Sequence, residues 1–320
     1  MITKTAAPQR KSSFTTIDIH LSRSDSNASS SSSQDELDNK QKKSKKKKKE
    51  FDAKAFLDNR VMTPLQEACN AITMIPQMIY SVYFVLSGSW AKGATEMATQ
   101  AYVNNPIITQ ESNNWLARFF GDEYTWAENL GCINHPMFPH LTALPPPAVL
   151  MVAFAGVVHP IFSIWYHWYC MKLEPSKRIP HWSRRLDHAF IHFAAACASY
   201  GTTGRIDYFL LNVAFNLDCA FKQFETKICP KRNVRRVGMS IIMYITPVLL
   251  HGHYRLYCKF LVMFILAGYS FSKYPIGGWS HSLFHVFLSF LPYLLFSASV
   301  RLDSSLAQIN LAARCGSGTA

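Results

Sequence analysis

The chain has 320 residues, 49% of them hydrophobic, and a formal net charge of +13. The averages conceal a split: residues 1–60 hold almost no apolar run, whereas most of 147–300 is apolar with short interruptions. Once the polar head is set aside, the remainder is too apolar for a water-soluble core, which excludes a soluble globular protein and sets the class as an all-α, polytopic integral membrane protein.

Residues 1–60 form the first region. The serine-rich stretch SNASSSSSQDE leads into KQKKSKKKKK at 40–49. Sequence of this kind cannot bury enough apolar surface to fold, so a disordered tail is expected. The positive charge is densest here, shortly before the first hydrophobic segment. In that position lysines retain a segment in the cytosol and bind anionic lipid headgroups. The placement argues against nucleic acid as a partner; a nuclear-localisation signal is the competing reading of the same lysines. Residues 1–50 contain no apolar h-region, so no cleavable leader is expected within them.

The membrane domain is expected over residues 61–300. Seven hydrophobic segments follow in order, at 69–90, 147–170, 187–203, 206–221, 237–251, 254–272 and 278–299. Each lies near the ~20 residues that a bilayer core requires. The 206–221 segment is short and carries Asp207 and Asp218; 237–251 is also short, with Pro247 near its end. A long loop, 91–146, separates the first two segments, and 301–320 reads as a short C-terminal tail.

Loop charge orients the bundle. With the N-terminus cytosolic, the inner loops 171–186, 222–236 and 273–277 carry twelve basic residues, among them Lys177, Arg178 and Arg184. The outer loops 91–146, 204–205 and 252–253 carry three, Lys92, Arg118 and Arg205. The bias predicts a cytosolic N-terminus and a C-terminus outside or in a lumen. The membrane is expected to be the plasma membrane or an endomembrane (endoplasmic reticulum or Golgi).

The eight cysteines, at 69, 132, 170, 197, 219, 229, 258 and 315, include no CxxC pair, and five lie in or beside apolar segments. Neither a disulfide framework nor a cysteine zinc site is expected. His135 and His140 in the long loop read as ordinary loop histidines rather than a second metal site.

The informative polar residues lie inside the apolar segments. Ser163 and His167 are four apart near the end of the second segment, on one helix face. Asp187 and His188 open the third segment. His281 and His285 sit at i, i+4 early in the seventh. In the orientation set by loop charge, all fall in the inner leaflet. Two histidines at this spacing can grip one zinc ion, and a third from another helix leaves one coordination position open for water. Asp187 can then take a proton from that water or orient it, and the Ser163 hydroxyl can hold a developing oxyanion. A single histidine in a bundle is more often an interhelical hydrogen-bonding group; it is the combination that argues for a metal. His188 is expected beside the site, His192 in ordinary packing, and His159–Pro160 at a kink. Asp218 and Arg205 are expected to shape loop ends, and His251 and His253 to lie too far outward to join the metal.

Ser163–Ile–Trp–Tyr–His167, Asp187 and His281–Ser–Leu–Phe–His285 together resemble the shared pattern of the CREST superfamily of seven-helix membrane proteins: SxxxH in helix 2, Asp in helix 3 and HxxxH in helix 7. The superfamily includes alkaline ceramidases, progestin and adipoQ receptors and hemolysin III proteins. The last two look closest, because their helix 3 typically opens RLDH, as residues 185–188 do, and ExxNxxTH precedes their helix 1. Here Glu67, Asn70 and Thr73 fit that motif, but Met74 stands where its histidine would be. The similarity spans roughly 64–299 and leaves out the basic tail and the 91–146 loop.

The resemblance implies a seven-helix bundle with zinc on His167, His281 and His285, completed by Asp187 and Ser163. It implies hydrolysis of a lipid amide, ceramide or a relative, reached sideways through the membrane. The alternative it allows is a receptor or scaffold whose zinc is structural. A hemolysin-like pore ranks last, since the ionisable groups gather at one end of the bundle rather than in a stripe across it.

Overall fold

A computed structural model describes residues 61–91, 132, 137–138, 140–178, 180–225 and 230–317. The 40–49 lysine block, most of the 91–146 loop and His135 lie outside these residues. Among those described, helices and connecting turns account for everything and no strand occurs.

The first helix, α1 (Pro64–Thr73), starts at a Thr63 cap: the Thr63 hydroxyl accepts from the Gln66 amide, and the Gln66 side chain accepts from Thr63 N–H. This reciprocal pair, with Pro64 in the first turn, fixes the entry of the chain. Glu67, Asn70 and Ala71 share the buried face. After Met74 the chain continues as α2 (Ile75–Leu86). The break lies at Pro76, which cannot donate to the preceding turn. Pro147 opens α3 (Pro147–Lys172), which runs without interruption through Pro160. A short α4 (Pro175–Arg178) precedes α5 (Trp182–Thr203), α6 (Ile206–Phe221), α7 (Pro230–Leu250) and α8 (Tyr254–Lys273). The final apolar stretch is two helices, α9 (Trp279–Leu288) and α10 (Leu291–Ser299), divided ahead of Pro292.

Helix therefore occupies all seven hydrophobic segments. Among the described residues, four stretches are long and apolar enough to cross a membrane: Pro64–Leu86, α3, α8 and Trp279–Ser299. The chain is thus a membrane protein of helical architecture. The other three helices differ for visible reasons: α5 begins with Arg184, Arg185 and Asp187, α6 has 16 residues, and α7 carries Lys231, Arg232, Arg235 and Arg236 in its first two turns.

The bundle exposes large apolar side chains and buries polar ones beside an apolar core. Ile79, Leu210, Ile242 and Ile265 are exposed, while Ser163, His167, His192, Asn212 and Asn216 are buried. Water would penalise this distribution and a bilayer favours it. Two glycines permit the tightest contacts. A Cβ on Gly156 would lie 2.2 Å from the Ser81 hydroxyl oxygen on α2, and one on Gly201 would lie 2.3 Å from a Val152 methyl. The helices thus approach backbone to backbone, as small residues allow in membranes. His192 joins α5 to α6 and α7 through Asn216 (3.1 Å) and Ser240 (3.2 Å), consistent with packing. Arg205 pairs with Asp207, and Asp218 with Lys222 one turn on, so both serve local structure at helix ends.

Two expectations need correcting at the C-terminal end. Residues 303–317 are not simply a tail: they form α11 (Asp303–Ser317), which buries Ile309 and Ala312 in the core beside Trp90 and Ala143. The Thr142 hydroxyl donates to the Ala312 carbonyl (3.0 Å). Cysteine pairing, not expected from the spacing, does occur: Cys132 and Cys315 form a disulfide across 183 residues of sequence. CxxC counting missed it because the partners meet only through tertiary packing. A crosslink of this kind typically contributes ~2–4 kcal/mol. Cys315→Ser should therefore lower the melting temperature in detergent by roughly 5–10 °C; an unchanged melting curve would show that α11 is held by packing alone.

Candidate metal centre

Three helices converge where α3 ends and α9 begins. His167 on α3 and His285 on α9 are buried, and His281 is half-buried one turn before His285. The Nε2 atom of His285 lies 3.2 Å from His167 Nε2 and 3.2 Å from His281 Nε2. Ligand atoms of all three fall within 4.8 Å of one another, the one such group among the described residues. Phe271 and Phe284 flank the His281 ring.

An imidazole nitrogen offers either one N–H or one lone pair, so His285 Nε2 cannot form full hydrogen bonds to both neighbours. A shared cation resolves the conflict by accepting all three lone pairs. Two nitrogens each ~2.1 Å from a tetrahedral zinc stand about 3.4 Å apart, close to the separations observed. The three residues fit a metal ion.

The tautomer supports the same conclusion. His167 Nδ1 lies 2.7 Å from Oε2 of Glu67, and Oε1 of that carboxylate accepts from an Arg178 guanidinium N–H at 3.1 Å. Glu67 is 1% exposed. With the Arg178 guanidinium donating to its other oxygen, the carboxylate is the acceptor in this contact, so His167 donates from Nδ1 and turns Nε2 toward the cluster. Arg178 is fixed in turn by two carbonyls, donating to Met62 (2.8 Å) and Leu173 (3.0 Å). Asn70, one turn after Glu67, accepts from the Ser282 hydroxyl (2.6 Å), which ties α1 to the helix carrying the two histidines.

Ser163 lies one turn before His167, buried, and its hydroxyl oxygen has no hydrogen-bond partner. Asp187 is also buried, on α5, and its Oδ1 is 3.7 Å from His159 Nε2. Neither belongs to the three-nitrogen cluster. His188 is half-buried on α5, with Arg184, Asp187, His192 and His159 as its charged or titratable neighbours. The carboxylate that touches a candidate ligand is Glu67, noted in the sequence for its place in ExxN. Arg178 reads from the sequence only as loop charge. The available signal was an acid on the buried face of an amphipathic lead-in helix, although no local pattern names its partner 100 residues away. His140 is exposed, far from forming a described metal group.

Comparison with protein-family models, with curated proteins and with solved structures finds no match.

Orienting carboxylates typically change metal affinity 10–100-fold. Glu67→Ala is expected to weaken metal binding in that range, measured by competition with a chromophoric chelator, while His285→Ala abolishes stoichiometric binding. Equal affinity in wild type and Glu67→Ala would separate the carboxylate from any metal role.

Proposed function

We propose that this protein is a zinc-dependent intramembrane hydrolase of a lipid amide, with a ceramide-like substrate. The observation that carries the reading is the convergence of three imidazole nitrogens, one of them backed by the Glu67 carboxylate, inside a membrane bundle. Three histidines leave an open position, the ligand count of catalytic rather than structural zinc. Zinc held there supplies a water of lowered pKa, near 7, and a Lewis acid for the substrate carbonyl.

The protein's own residues carry the remaining chemistry. Asp187 accepts the proton that the attacking water releases as its oxygen bonds to the amide carbon. It returns that proton to the leaving nitrogen as the C–N bond breaks, giving a fatty acid and an amine. The Ser163 hydroxyl, buried and without a protein partner, donates to the carbonyl oxygen as negative charge develops. Glu67 and Arg178 hold His167 in orientation. A lipid substrate reaches the site sideways, between helices whose outer faces are apolar. The resemblance of SxxxH, Asp and HxxxH to the ceramidase and adipoQ receptor superfamily points the same way.

We further infer seven membrane crossings with a cytosolic N-terminus. The three helices with charged or short spans carry exposed apolar residues, among them Phe193, Leu211, Leu217 and Leu250, that a bilayer would cover. Loop charge sets the direction, and the Cys132–Cys315 disulfide joins two segments that this topology assigns to the outer or luminal side, where disulfides persist. The metal then lies near the cytosolic surface. The charge of the 40–49 lysines suits anionic lipid headgroups as a partner.

Purified protein with about one zinc per chain should release fatty acid from a fluorescent ceramide analogue. His281→Ala should lose both zinc and activity. Asp187→Asn should keep zinc and lose on the order of 10²–10⁴ in rate. Zinc binding without hydrolysis of any lipid amide would turn the assignment toward a receptor with a structural metal.

A further inference from the structure

Polar atoms without partners collect beside the three imidazoles. His159 Nε2, Ser163 Oγ and Asp187 Oδ1 are buried and lack hydrogen bonds. His159, Ser163 and His167 fall at i, i+4 and i+8 on α3, so a single stripe of that helix carries all three. The electrostatic neighbours of His285 are His281, His167 and His159, which sets His159 at the edge of the cluster although it is not one of its ligands. Among the described residues, His159 is the ion-pair partner of Asp187. Of the two arginines ahead of Asp187 on α5, Arg185 donates to the Phe224 carbonyl (3.0 Å), and Arg184, one turn before Asp187, neighbours His188 as Asp187 does.

An isolated carboxylate in a low-dielectric bundle takes up a proton unless a donor faces it. At 3.7 Å the two groups sit a few tenths of an ångström beyond hydrogen-bond range, a gap that a small shift closes. Pro160 removes the backbone bond that would otherwise tie this turn of α3 to Gly156, so the turn carrying His159 is free to make that adjustment.

We propose that His159 is a positioning residue: its ring N–H keeps the Asp187 carboxylate ionised and turned toward the stripe of α3 that holds Ser163 and His167. The proposal rests on the assignment of Asp187 as proton acceptor, since only the ionised form can accept. His159 acts through Asp187 and has no part in holding the metal. In sequence it reads as a kink residue ahead of a proline; its significance comes from the α5 carboxylate opposite.

The test uses full-length, zinc-loaded protein in detergent. Infrared difference spectra, with Asp187→Asn as the reference that identifies the Asp187 band, report the protonation of this carboxyl group at neutral pH. Wild type and His159→Gln, which retains an N–H donor, should show ionised Asp187. His159→Leu should show it protonated, with zinc content unchanged. In the ceramide-analogue assay His159→Leu should lower kcat by about 10–100-fold with KM unaltered, and His159→Gln should recover most of the loss. If His159→Leu does not fold, His159→Ala carries the same comparison. An ionised Asp187 in the Leu or Ala variant would overturn the proposal, and so would loss of zinc, which would make His159 a ligand. An inactive wild type would defeat the hydrolase assignment, while the infrared comparison would still decide the role of His159.

Discussion

One buried carboxylate governs the site. Glu67 is enclosed between His167 on one oxygen and Arg178 on the other, in a bundle with little else to stabilise a charge. Burying an acid is costly unless both oxygens are occupied, and a single missing partner would leave an uncompensated charge. With both partners present, the ion pair converts a surface-loop arginine into an internal brace and sets one imidazole in the form a metal requires. Segments around residues 67, 167–178 and 285, remote in sequence, are thereby held to one geometry. The Asn70–Ser282 bond adds a neutral contact between the same outer two segments.

The rest of the molecule keeps this end of the bundle rigid while leaving its sides apolar. Gly156 and Gly201 bring α3 against α2 and α5 closely enough that an added methyl would collide. His192, Asn216 and Ser240 fasten α5 to α6 and α7 by hydrogen bonds where lipid-like side chains alone give little specificity. At the C-terminal end, α11 is buried against Trp90 and Ala143 and crosslinked to Cys132. Polar contacts run through the interior, beside an apolar core, while the perimeter is branched and aromatic.

Much of this was legible in the sequence because the signals are local. Apolar runs marked helix at all seven positions, and i, i+4 spacing put Ser163 with His167 and His281 with His285 on shared faces. What could not be read there depends on which faces meet. The pairing of Glu67 with His167, the clamp of Arg178 and the approach of His159 to Asp187 each join residues from different helices, and no periodicity encodes a partner. The disulfide was hidden for the same reason: Cys132 and Cys315 sit in unremarkable contexts 183 residues apart. The C-terminal helix escaped notice because its polar face lowers its hydropathy, while Ile309 and Ala312 still suffice to bury one side.

The central claim is that His167, His281 and His285 bind one metal ion together. X-ray absorption at the zinc edge of the purified, full-length protein tests it most directly. The expected spectrum shows a shell of three imidazole nitrogens and one oxygen at about 2.0–2.1 Å with no sulfur. A shell containing cysteine sulfur, or fewer than three imidazoles, would contradict it.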